Sequence, residues 1–570
     1  MPKPLSWLRA PRSPVQLRIS LATSNVAWVQ NRNPQPDRPA GKTADFAYVL
    51  PHARRPWALL LLIALAWTWY CHFWPFLHPG QEALRLYQVQ ALAERGESHL
   101  DAMVARHGSV PTGHRPRANH VYGEPAPGLA VLSLPLYAVA QQLEPQVARE
   151  QLWRFGYAAT VLTVAAPLLA MLIALYGWLI RRVSPQSARV SIAALATASP
   201  LLIYAGLYSV HGLAAALVGA SFFVITGSPD TPLSPRRAWT GGILLGYAGL
   251  SDTPVFVLGA LLTALTYARA LPAGPASWSA ARQALRQVAP VALGLAGGIA
   301  GQLLYNGLAL GDPWQAELPD GVTQWLALPR ADALVGLWLT PRRGLLYHAP
   351  WLAAAVAGLA MVIASNRPRE QRLEACGALA VSGLYALFIS GWGAWPAGDQ
   401  AGARHLLPIV PLLAWGLGPL WQARLQPQLR GALLASVAAG VLLHAPTAAT
   451  FPYHFEQVQR PVLELAVPLM IQSAWSPSIG AWFGMGGTAS AAVYALILAA
   501  VWWMALARGW VQQDPQTLRP WLLPLSTAVV LLVWAVGITS AVPEKPGRAA
   551  EVSRYKAAQL LKIGLHGRGP

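Results

Sequence analysis

Apolar runs of membrane length alternate with short polar connections along most of the chain. The first run extends from Trp57 to about Leu77, and ~20 residues allow a helix to cross a hydrocarbon core of ~30 Å. The pattern predicts an all-α polytopic membrane protein with about thirteen transmembrane helices. The other predicted spans are residues 155–180, 187–207, 210–227, 238–252, 254–270, 287–309, 350–366, 376–392, 406–421, 431–448, 489–507 and 520–541.

Basic residues collect in every second connection between these spans. Residues 1–56 contain nine Lys and Arg but only two Asp, and Arg181 and Arg182 follow the second span. Short cytoplasmic loops retain positive charge, so the N-terminus is predicted inside and the C-terminus outside. The expected location is the inner (plasma) membrane of a bacterium, with the active face in the periplasm.

Composition supports the membrane class. It argues against a nucleic-acid-binding protein and against a protein held together by disulfides or a cysteine metal site. Only 11% of the residues are charged, whereas soluble domains carry roughly a quarter. The net charge of +19 is explained by the basic connections, so nucleic acid is not a predicted partner. The two cysteines, Cys71 and Cys376, lie in or beside apolar runs and predict neither a disulfide framework nor a metal site.

The pattern also divides the chain into four regions. A basic cytoplasmic segment, 1–56, precedes a transmembrane module, 57–421, which contains a long polar loop at 78–152. C-terminal helices with an outer loop at 449–488 occupy 422–542, and a tail occupies 543–570. Within the first polar loop, Leu129–Ala140 is apolar but too short to span, and is predicted to lie at the membrane interface.

Several polar residues map to the outer ends of predicted spans. An ionisable side chain at membrane depth costs ~2.5–3.5 kcal/mol, so such residues pair or serve a function. Each has a structural alternative: Asp252 fits a helix cap before Pro254, His211 an interfacial histidine, and Glu82 a first-turn charge. Arg343 also fits a charge that fixes a loop. Their joint occurrence on one side favours a site.

Five stretches, in order along residues 57–420, resemble motifs of the GT-C membrane glycosyltransferases. The pattern is closest to the protein O-mannosyltransferases and the lipid A aminoarabinose transferases. The first stretch, beginning E-A-L-R-L-Y at Glu82, resembles the opening of the family's first outer loop. The others are His120–Gly128, Tyr305–Pro313 (Y-N-G-L-A-L-G-D-P), Arg343–Pro350 (R-G-L-L-Y-H-A-P) and Trp392–Pro408.

The sequence departs from the family pattern at two positions. The usual catalytic Asp aligns with Gln81, and the Lys of a K-P-P-G element aligns with Glu124. Glutamine cannot accept a proton as a base. Glu82 or another carboxylate, such as Asp252, must then take that role, or activity is lost.

The resemblance implies a GT-C-like bundle with interfacial helices in the first periplasmic loop. It also implies transfer of a sugar from a polyprenyl-phosphate carrier to an acceptor, most simply by inverting displacement. Glu82 is then the general base, with Asp252 as helper or alternative. The expected donor phosphate-binding residues are Arg343, Arg404 and Arg85. The expected substrate-binding residues are Tyr87, His120, Tyr122, His211, Tyr305, Asn306, Trp392, Trp395 and His405.

The expected partners are the bilayer, a lipid-linked sugar donor and a lipid or glycan acceptor. The sequence contains no Rossmann or P-loop pattern in the required context. No spacing demands a metal ion, although a divalent cation is compatible with the carboxylates. Two other functions remain open: a multispan transporter or flippase, for which no matching inverted halves are visible, and a cell-envelope polymerase or ligase. The sugar and the acceptor are not identified.

Overall fold

A computed structural model describes most of the chain from Pro56 onwards, and these residues belong to one compact unit, Arg55–Pro570. The predicted N-terminal segment, the span at 520–541 and Glu124 lie outside the described residues. The described residues are 56–71, 81–108, 115–117, 120–123, 126–146, 151–228, 231–272, 277–314, 326–393, 395–396, 398, 400–423, 425–453, 458–506, 551, 554–555 and 557–558.

The described part of the chain is mostly helical. The exception is an antiparallel hairpin of β1, Arg115–Arg117, and β2, His120–Tyr122. The helices are α1 Trp57–Trp69, α2 Gln81–Arg95, α3 Asp101–His107, α4 Gly128–Leu143, α5 Leu152–Leu179, α6 Pro185–Thr197, α7 Leu201–Tyr204, α8 Val210–Thr226, α9 Pro235–Ser251, α10 Val255–Ala270, α11 Trp278–Leu310, α12 Ala331–Leu339, α13 Leu345–His348, α14 Trp351–Ala364, α15 Arg369–Gly391, α16 Arg404–Ala414, α17 Leu417–Gln422, α18 Pro427–Ala449, α19 Val462–Ile471, α20 Ile479–Trp482 and α21 Gly487–Leu506.

Five of the described helices are long and apolar enough to cross a membrane: α5, α11, α15, α18 and α21. Shorter apolar helices of 10–17 residues, including α1, α4, α8, α10 and α14, accompany them. The chain is therefore a multi-pass membrane protein, as the hydropathy pattern predicts. The count of about thirteen spans stays a prediction.

Two predicted spans are interrupted in the structure. The run 187–207 is divided into α6 and α7 around Pro200, whose missing N–H and fixed φ end the first helix. The run 406–421 is also divided: α16 ends at Ala414 and α17 begins at Leu417, so the break comprises Trp415 and Gly416. A Cβ on Gly416 would lie 2.1 Å from the Ala355 carbonyl oxygen, so α14 meets the chain closely at this break. Apolar composition alone does not reveal such breaks.

Helices α9 and α11 pack backbone against backbone through two small-residue motifs. Gly242 and Gly246 on α9 face Gly294 and Gly298 on α11, with the same four-residue spacing. A Cβ on Gly246 would lie 2.3 Å from the Gly294 carbonyl oxygen, and one on Gly298 would lie 2.2 Å from that of Gly246. Such contacts between glycines are a common means of helix association in membranes.

Polar clusters lie at opposite ends of the bundle. At one end, the Glu374 carboxylate on α15 is 3.0 Å from Arg182 Nη2 and 2.9 Å from Arg269 Nη2. Arg269 also donates to the carbonyl of Thr226, the last residue of α8. His211 begins the same helix, and a rise of ~1.5 Å per residue separates these two positions by about 22 Å. The Glu374 cluster unites three connections that the sequence predicts on the cytoplasmic side.

Candidate active site

Glu82 lies in the first turn of the first polar helix, α2, at the end of the bundle opposite Glu374. Its side chain is buried, with 6% of the residue exposed. The Tyr453 hydroxyl donates to Oε2 at 2.7 Å. Oε1 is enclosed and has no hydrogen-bond partner among the described residues. A carboxylate in the first turn also interacts favourably with the helix dipole. One oxygen is thus fixed, and the other is available to a ligand.

Arg85 lies one turn after Glu82 on the same face of α2. It is buried, and its guanidinium donates to the Tyr208 carbonyl at 3.3 Å. Burial raises the pKa of Glu82 to about 7, although the Tyr453 hydrogen bond and the positive charge of Arg85 both lower it. A carboxyl with this pKa exchanges its proton near neutral pH, as a general base requires.

The position of Tyr453 depends on a segment that Arg343 holds in place. Gln400 and Tyr453 form an isolated antiparallel bridge, which sets the tyrosine hydroxyl against Glu82. Arg343 is buried, and its guanidinium donates to several backbone carbonyls of this segment. The acceptors are the carbonyls of Pro396, Gly398, Gln400 and Gly402. Arg343 therefore organises the loop, which is the structural alternative that the sequence leaves open, and its role as a phosphate ligand stays a prediction.

A second group of candidates lies on α8, after α9 and on α16. Asp252 Oδ2 is 2.7 Å from His211 Nδ1, and both side chains are buried. The His211 and His405 rings meet edge to face at 5.2 Å. Arg404 donates from Nε to His405 Nε2 at 3.2 Å. Four sequence-predicted residues are therefore in one contiguous cluster, and Asp252 carries an imidazole partner in addition to its place at the end of α9.

The two groups are joined by the segment that follows Gln400. The Tyr204 hydroxyl donates to the Ala401 carbonyl at 2.8 Å, and its ring lies edge to face against His211 at 6.4 Å. Gln400 pairs with Tyr453 beside Glu82, and Arg404 and His405 follow a few residues later. The chain thus connects the Glu82 group and the Asp252 group within one short stretch.

Tyr305 and Asn306 lie near the end of α11, where Tyr305 contacts α2 and Asn306 contacts the residues that follow α11. The Gln88 side chain on α2 donates to the Tyr305 hydroxyl at 2.7 Å. Asn306 accepts from Gln302 at 2.9 Å and donates to the Pro313 carbonyl at 3.2 Å. Tyr305 is therefore linked directly to α2, while Asn306 shapes the end of α11.

Other predicted residues make contacts of a different kind. Tyr87 is fully buried, and its ring stacks on His107 at 4.8 Å. Trp395 packs against Gly336 on α12, where an added Cβ would lie 2.3 Å from the indole. Trp392 forms a backbone bridge with Leu326. These three support the loops and helices around the site.

A small aromatic recess, with a cavity volume of about 20 Å³, adjoins the Glu82 group through Cys71. Cys71 lies in its wall and is close enough to Glu82 for an electrostatic interaction. Tyr157 and Trp482 meet edge to face at 5.4 Å in the same wall. The other lining residues include Trp69, Trp153 and Ile479.

Comparison with known proteins gives structural neighbours but no sequence relatives. No protein-family model matches the chain, and no curated protein matches it. ArnT from Cupriavidus metallidurans in the apo state is similar over 89% of this chain and 76% of that chain, with 15% identity and a TM-score of 0.45. The same protein bound to undecaprenyl phosphate gives 14% identity, 90% and 77% coverage, and a TM-score of 0.45.

A further neighbour is the Archaeoglobus fulgidus oligosaccharyltransferase in its apo form. It is 11% identical over 89% of this chain and 60% of that chain, with a TM-score of 0.38. All three similarities have TM-scores below 0.5, so the resemblance to the GT-C membrane glycosyltransferases stays a prediction from the sequence motifs.

Sequence reasoning missed two residues in contact with the predicted ones. Tyr453 lies 371 positions from Glu82 along the chain, in a loop predicted only to cover the helices. Gln88 shares a helix with Glu82, yet no motif distinguishes it from other polar residues there. The sequence also does not predict the cluster formed by His99, Asp101 and His120: His120 is expected to bind substrate, and its two partners are not singled out.

Proposed function

We propose that this protein is a membrane glycosyltransferase that moves a sugar from a polyprenyl-phosphate carrier to a lipid or glycan acceptor. The observation that supports it most directly is the enclosed Glu82 carboxylate, whose Oε1 has no hydrogen-bond partner in the described residues. Its pKa near 7 and the adjacent cation Arg85 suit proton transfer beside a phosphate leaving group.

In the proposed reaction, the acceptor hydroxyl oxygen attacks the anomeric carbon of the donor sugar. The hydroxyl proton passes to Glu82 Oε1 as the new C–O bond forms. The bond from the anomeric carbon to the phosphate oxygen breaks, and the phosphate leaves with its electron pair. Attack opposite to the leaving group inverts the configuration at that carbon. The products are a glycosylated acceptor and a free polyprenyl phosphate.

Arg85 and Arg404 are the proposed ligands of the donor phosphate. Guanidinium groups bind phosphate oxygens in a bidentate manner and stabilise the charge that develops as the phosphate leaves. Arg343 is proposed as a positioning residue, because its guanidinium donates to carbonyls of the segment that carries Gln400. Of the three arginines that the sequence suggests as phosphate ligands, Arg85 and Arg404 are thus proposed to keep that role, and Arg343 is proposed to position the loop.

Asp252 is proposed to orient His211 within the pocket. Its Oδ2 lies 2.7 Å from Nδ1, so the other ring nitrogen of His211 remains as the group that a substrate hydroxyl meets. The aromatic recess beside Cys71 is proposed to hold the first part of the prenyl chain. Arg182 and Arg269, which contact Glu374, belong to basic connections predicted on the cytoplasmic side. The proposed site lies at the opposite end of the bundle and would then face the periplasm.

The test uses purified protein in proteoliposomes with a panel of polyprenyl-phosphate sugars and candidate acceptors. Release of polyprenyl phosphate and labelling of the acceptor are both measured. Wild-type protein is expected to release the carrier only when a suitable acceptor is present, and Glu82→Gln to release none. Glu144→Gln, which changes an exposed carboxylate at the end of α4, is the matched control. Donor that crosses the bilayer intact, without cleavage and independently of Glu82, would instead indicate a flippase.

A further inference from the structure

Two histidines and an aspartate form a compact cluster on the first polar loop, away from the Glu82 group. Asp101 Oδ2 lies 2.5 Å from His120 Nδ1 and 3.3 Å from His99 Nδ1. The two imidazole rings stack with their centroids 4.6 Å apart. One ligand atom from each residue can be chosen so that all lie within 4.8 Å of one another. Such a group has the composition of a metal centre.

One of the ligand separations already equals that around a tetrahedral zinc ion. Ligand atoms at ~2.0–2.1 Å from a tetrahedral zinc lie about 3.3 Å from one another, which matches the distance of 3.3 Å between His99 Nδ1 and Asp101 Oδ2. The distance from Asp101 Oδ2 to His120 Nδ1 is shorter, and these two atoms would have to move apart by less than about 1 Å to hold the same ion. His99 Nδ1 is enclosed and, apart from its 3.3 Å approach to Asp101 Oδ2, has no hydrogen-bond partner among the described residues.

The surroundings support this ligand set. Val121 N–H donates to Asp101 Oδ1 at 2.7 Å, which leaves Oδ2 for a metal. Glu97 Oε2 lies 3.7 Å from His99 Nε2, on the far side of the ring from Nδ1. A carboxylate behind a metal-bound histidine commonly fixes its orientation and raises its basicity.

We propose that His99, Asp101 and His120 bind a divalent transition-metal ion, best matched by zinc, with water completing the coordination. Imidazole and carboxylate ligands together suit zinc and its neighbours, whereas magnesium and calcium prefer oxygen ligands alone. The proposed sugar transfer uses none of these three residues, and His120, which the sequence predicts as a substrate-binding residue, is assigned here to the metal. No residue of the Glu82 group is among its ligands.

The metal would fasten the β1–β2 hairpin to the turn before α3. Leu100 N–H already donates to the Val121 carbonyl at 2.6 Å, and His99 bridges Tyr122. A Cβ added to Gly123, the next residue, would lie 3.3 Å from the Gln88 side chain of α2, so the hairpin passes close to this helix. A metal at this position therefore stabilises the hairpin where it meets the helix that carries Glu82.

The experiment titrates untagged, full-length protein in detergent with Co²⁺, after chelator treatment, and then displaces Co²⁺ with Zn²⁺. One equivalent of Co²⁺ with the visible bands of a tetrahedral site is expected. His120→Asn and Asp101→Asn should each weaken binding about tenfold or more. Asp101→Asn retains an oxygen for the Val121 N–H. His107→Gln, which removes an imidazole that hydrogen-bonds Gln90 on the same loop, is the matched control and should bind like wild type.

Thermal unfolding gives a second readout that does not depend on enzymatic activity. Zn²⁺ should raise the unfolding midpoint of wild type and of His107→Gln, but not that of His99→Asn/His120→Asn, because a ligand of the folded state stabilises it by mass action. Equal Co²⁺ binding by wild type and the double variant would overturn the proposal. So would several weak equivalents without tetrahedral bands, since these indicate adventitious binding. In either case the three residues form a hydrogen-bonded cluster only.

Discussion

Burial and three neighbouring groups, namely the Tyr453 hydroxyl, the Arg85 charge and the Tyr208 backbone, determine the pKa of Glu82. Removal from water raises its pKa to about 7, while the Tyr453 hydroxyl and Arg85 keep it from rising further. The carboxyl is neutral below that pH and ionised above it. The same environment that makes Glu82 a suitable base also makes its ionised form costly to the folded protein.

Replacing Glu82 with Gln should therefore separate activity from stability. The folded pKa lies above the unfolded value of 4.5, so the folded state holds the proton between these values and stability falls as the pH rises through this window. The loss is at most about 1.4 kcal/mol per pH unit. We expect Glu82→Gln to abolish sugar transfer and, at pH 8, to unfold at a higher temperature than wild type. Unchanged transfer would exclude Glu82 as the base.

The Tyr453 hydroxyl should control the pH profile. Tyr453→Phe removes a hydrogen bond that favours the ionised carboxylate, so the pKa of Glu82 should rise. A hydrogen bond to a charged group contributes ~1.5–3 kcal/mol, which corresponds to an upward shift of about one pH unit or more in the midpoint of kcat/KM. Tyr494→Phe, a buried tyrosine that packs on Tyr70, is the control and should leave the midpoint unchanged. If the midpoint is the same in Tyr453→Phe and wild type, the pH dependence of kcat/KM does not arise from Glu82.

Substitution of Arg404 should impair donor binding, whereas substitution of Arg343 should lower stability. Arg404→Ala is expected to raise KM for the polyprenyl-phosphate donor about tenfold or more, with little change in KM for the acceptor. Arg343→Ala is expected to lower the unfolding midpoint, because it leaves the carbonyls of Gly398 and Gln400 without their donor. Donor binding and thermal unfolding of the purified variants distinguish the two. Equal donor affinity in Arg404→Ala and wild type would contradict the phosphate role.

At the scale of elements, the glycine contacts between α9 and α11 set how closely these two helices approach. Gly246→Leu would drive a side chain into the Gly294 backbone, and overpacking of this kind costs about 1–3 kcal/mol. We expect a lower unfolding midpoint in detergent and lower expression. Gly297→Leu, at an exposed position where an added Cβ meets nothing within 4 Å, should be tolerated. Equal stability of the two variants would show that the close packing contributes little.

Most helix positions follow from the hydropathy pattern, but their interruptions do not. The predicted runs 210–227, 254–270 and 350–366 agree with α8, α10 and α14 to within a few residues. The run 187–207 is broken at Pro200, and the run 406–421 is broken where Gly416 meets Ala355. Hydropathy measures the cost of transfer to lipid, which is nearly the same for an intact helix and for two short ones packed inside protein.

At the scale of the whole molecule, two polar clusters mark the two ends of the bundle. This arrangement predicts that Asp312, beyond α11, and Asn366, before α15, lie on opposite sides of the membrane. Single-cysteine variants at these exposed positions, with Cys71 and Cys376 replaced by Ser, test this with a membrane-impermeant maleimide. Asp312→Cys should react from outside the cell, and Asn366→Cys only after the membrane is opened. Reaction of both from one side would contradict the orientation.

By itself the sequence determined the membrane class, the approximate bounds of several apolar helices and the polar loop that carries Glu82. These properties depend on sums over local segments: the transfer cost of ~20 apolar residues and the retention of basic connections in the cytoplasm. Motif order along the chain added the resemblance to the GT-C transferases. None of these inferences requires knowledge of which segments touch.

Only the tertiary structure decided which polar groups meet. It set Tyr453 against Glu82 across 371 positions, engaged Arg343 with loop carbonyls, and brought His120 to Asp101. A hydrogen bond or a metal ligand is specified to within tenths of an ångström, and that precision arises from the packing of segments far apart in the chain. Composition and spacing along the chain do not contain that information.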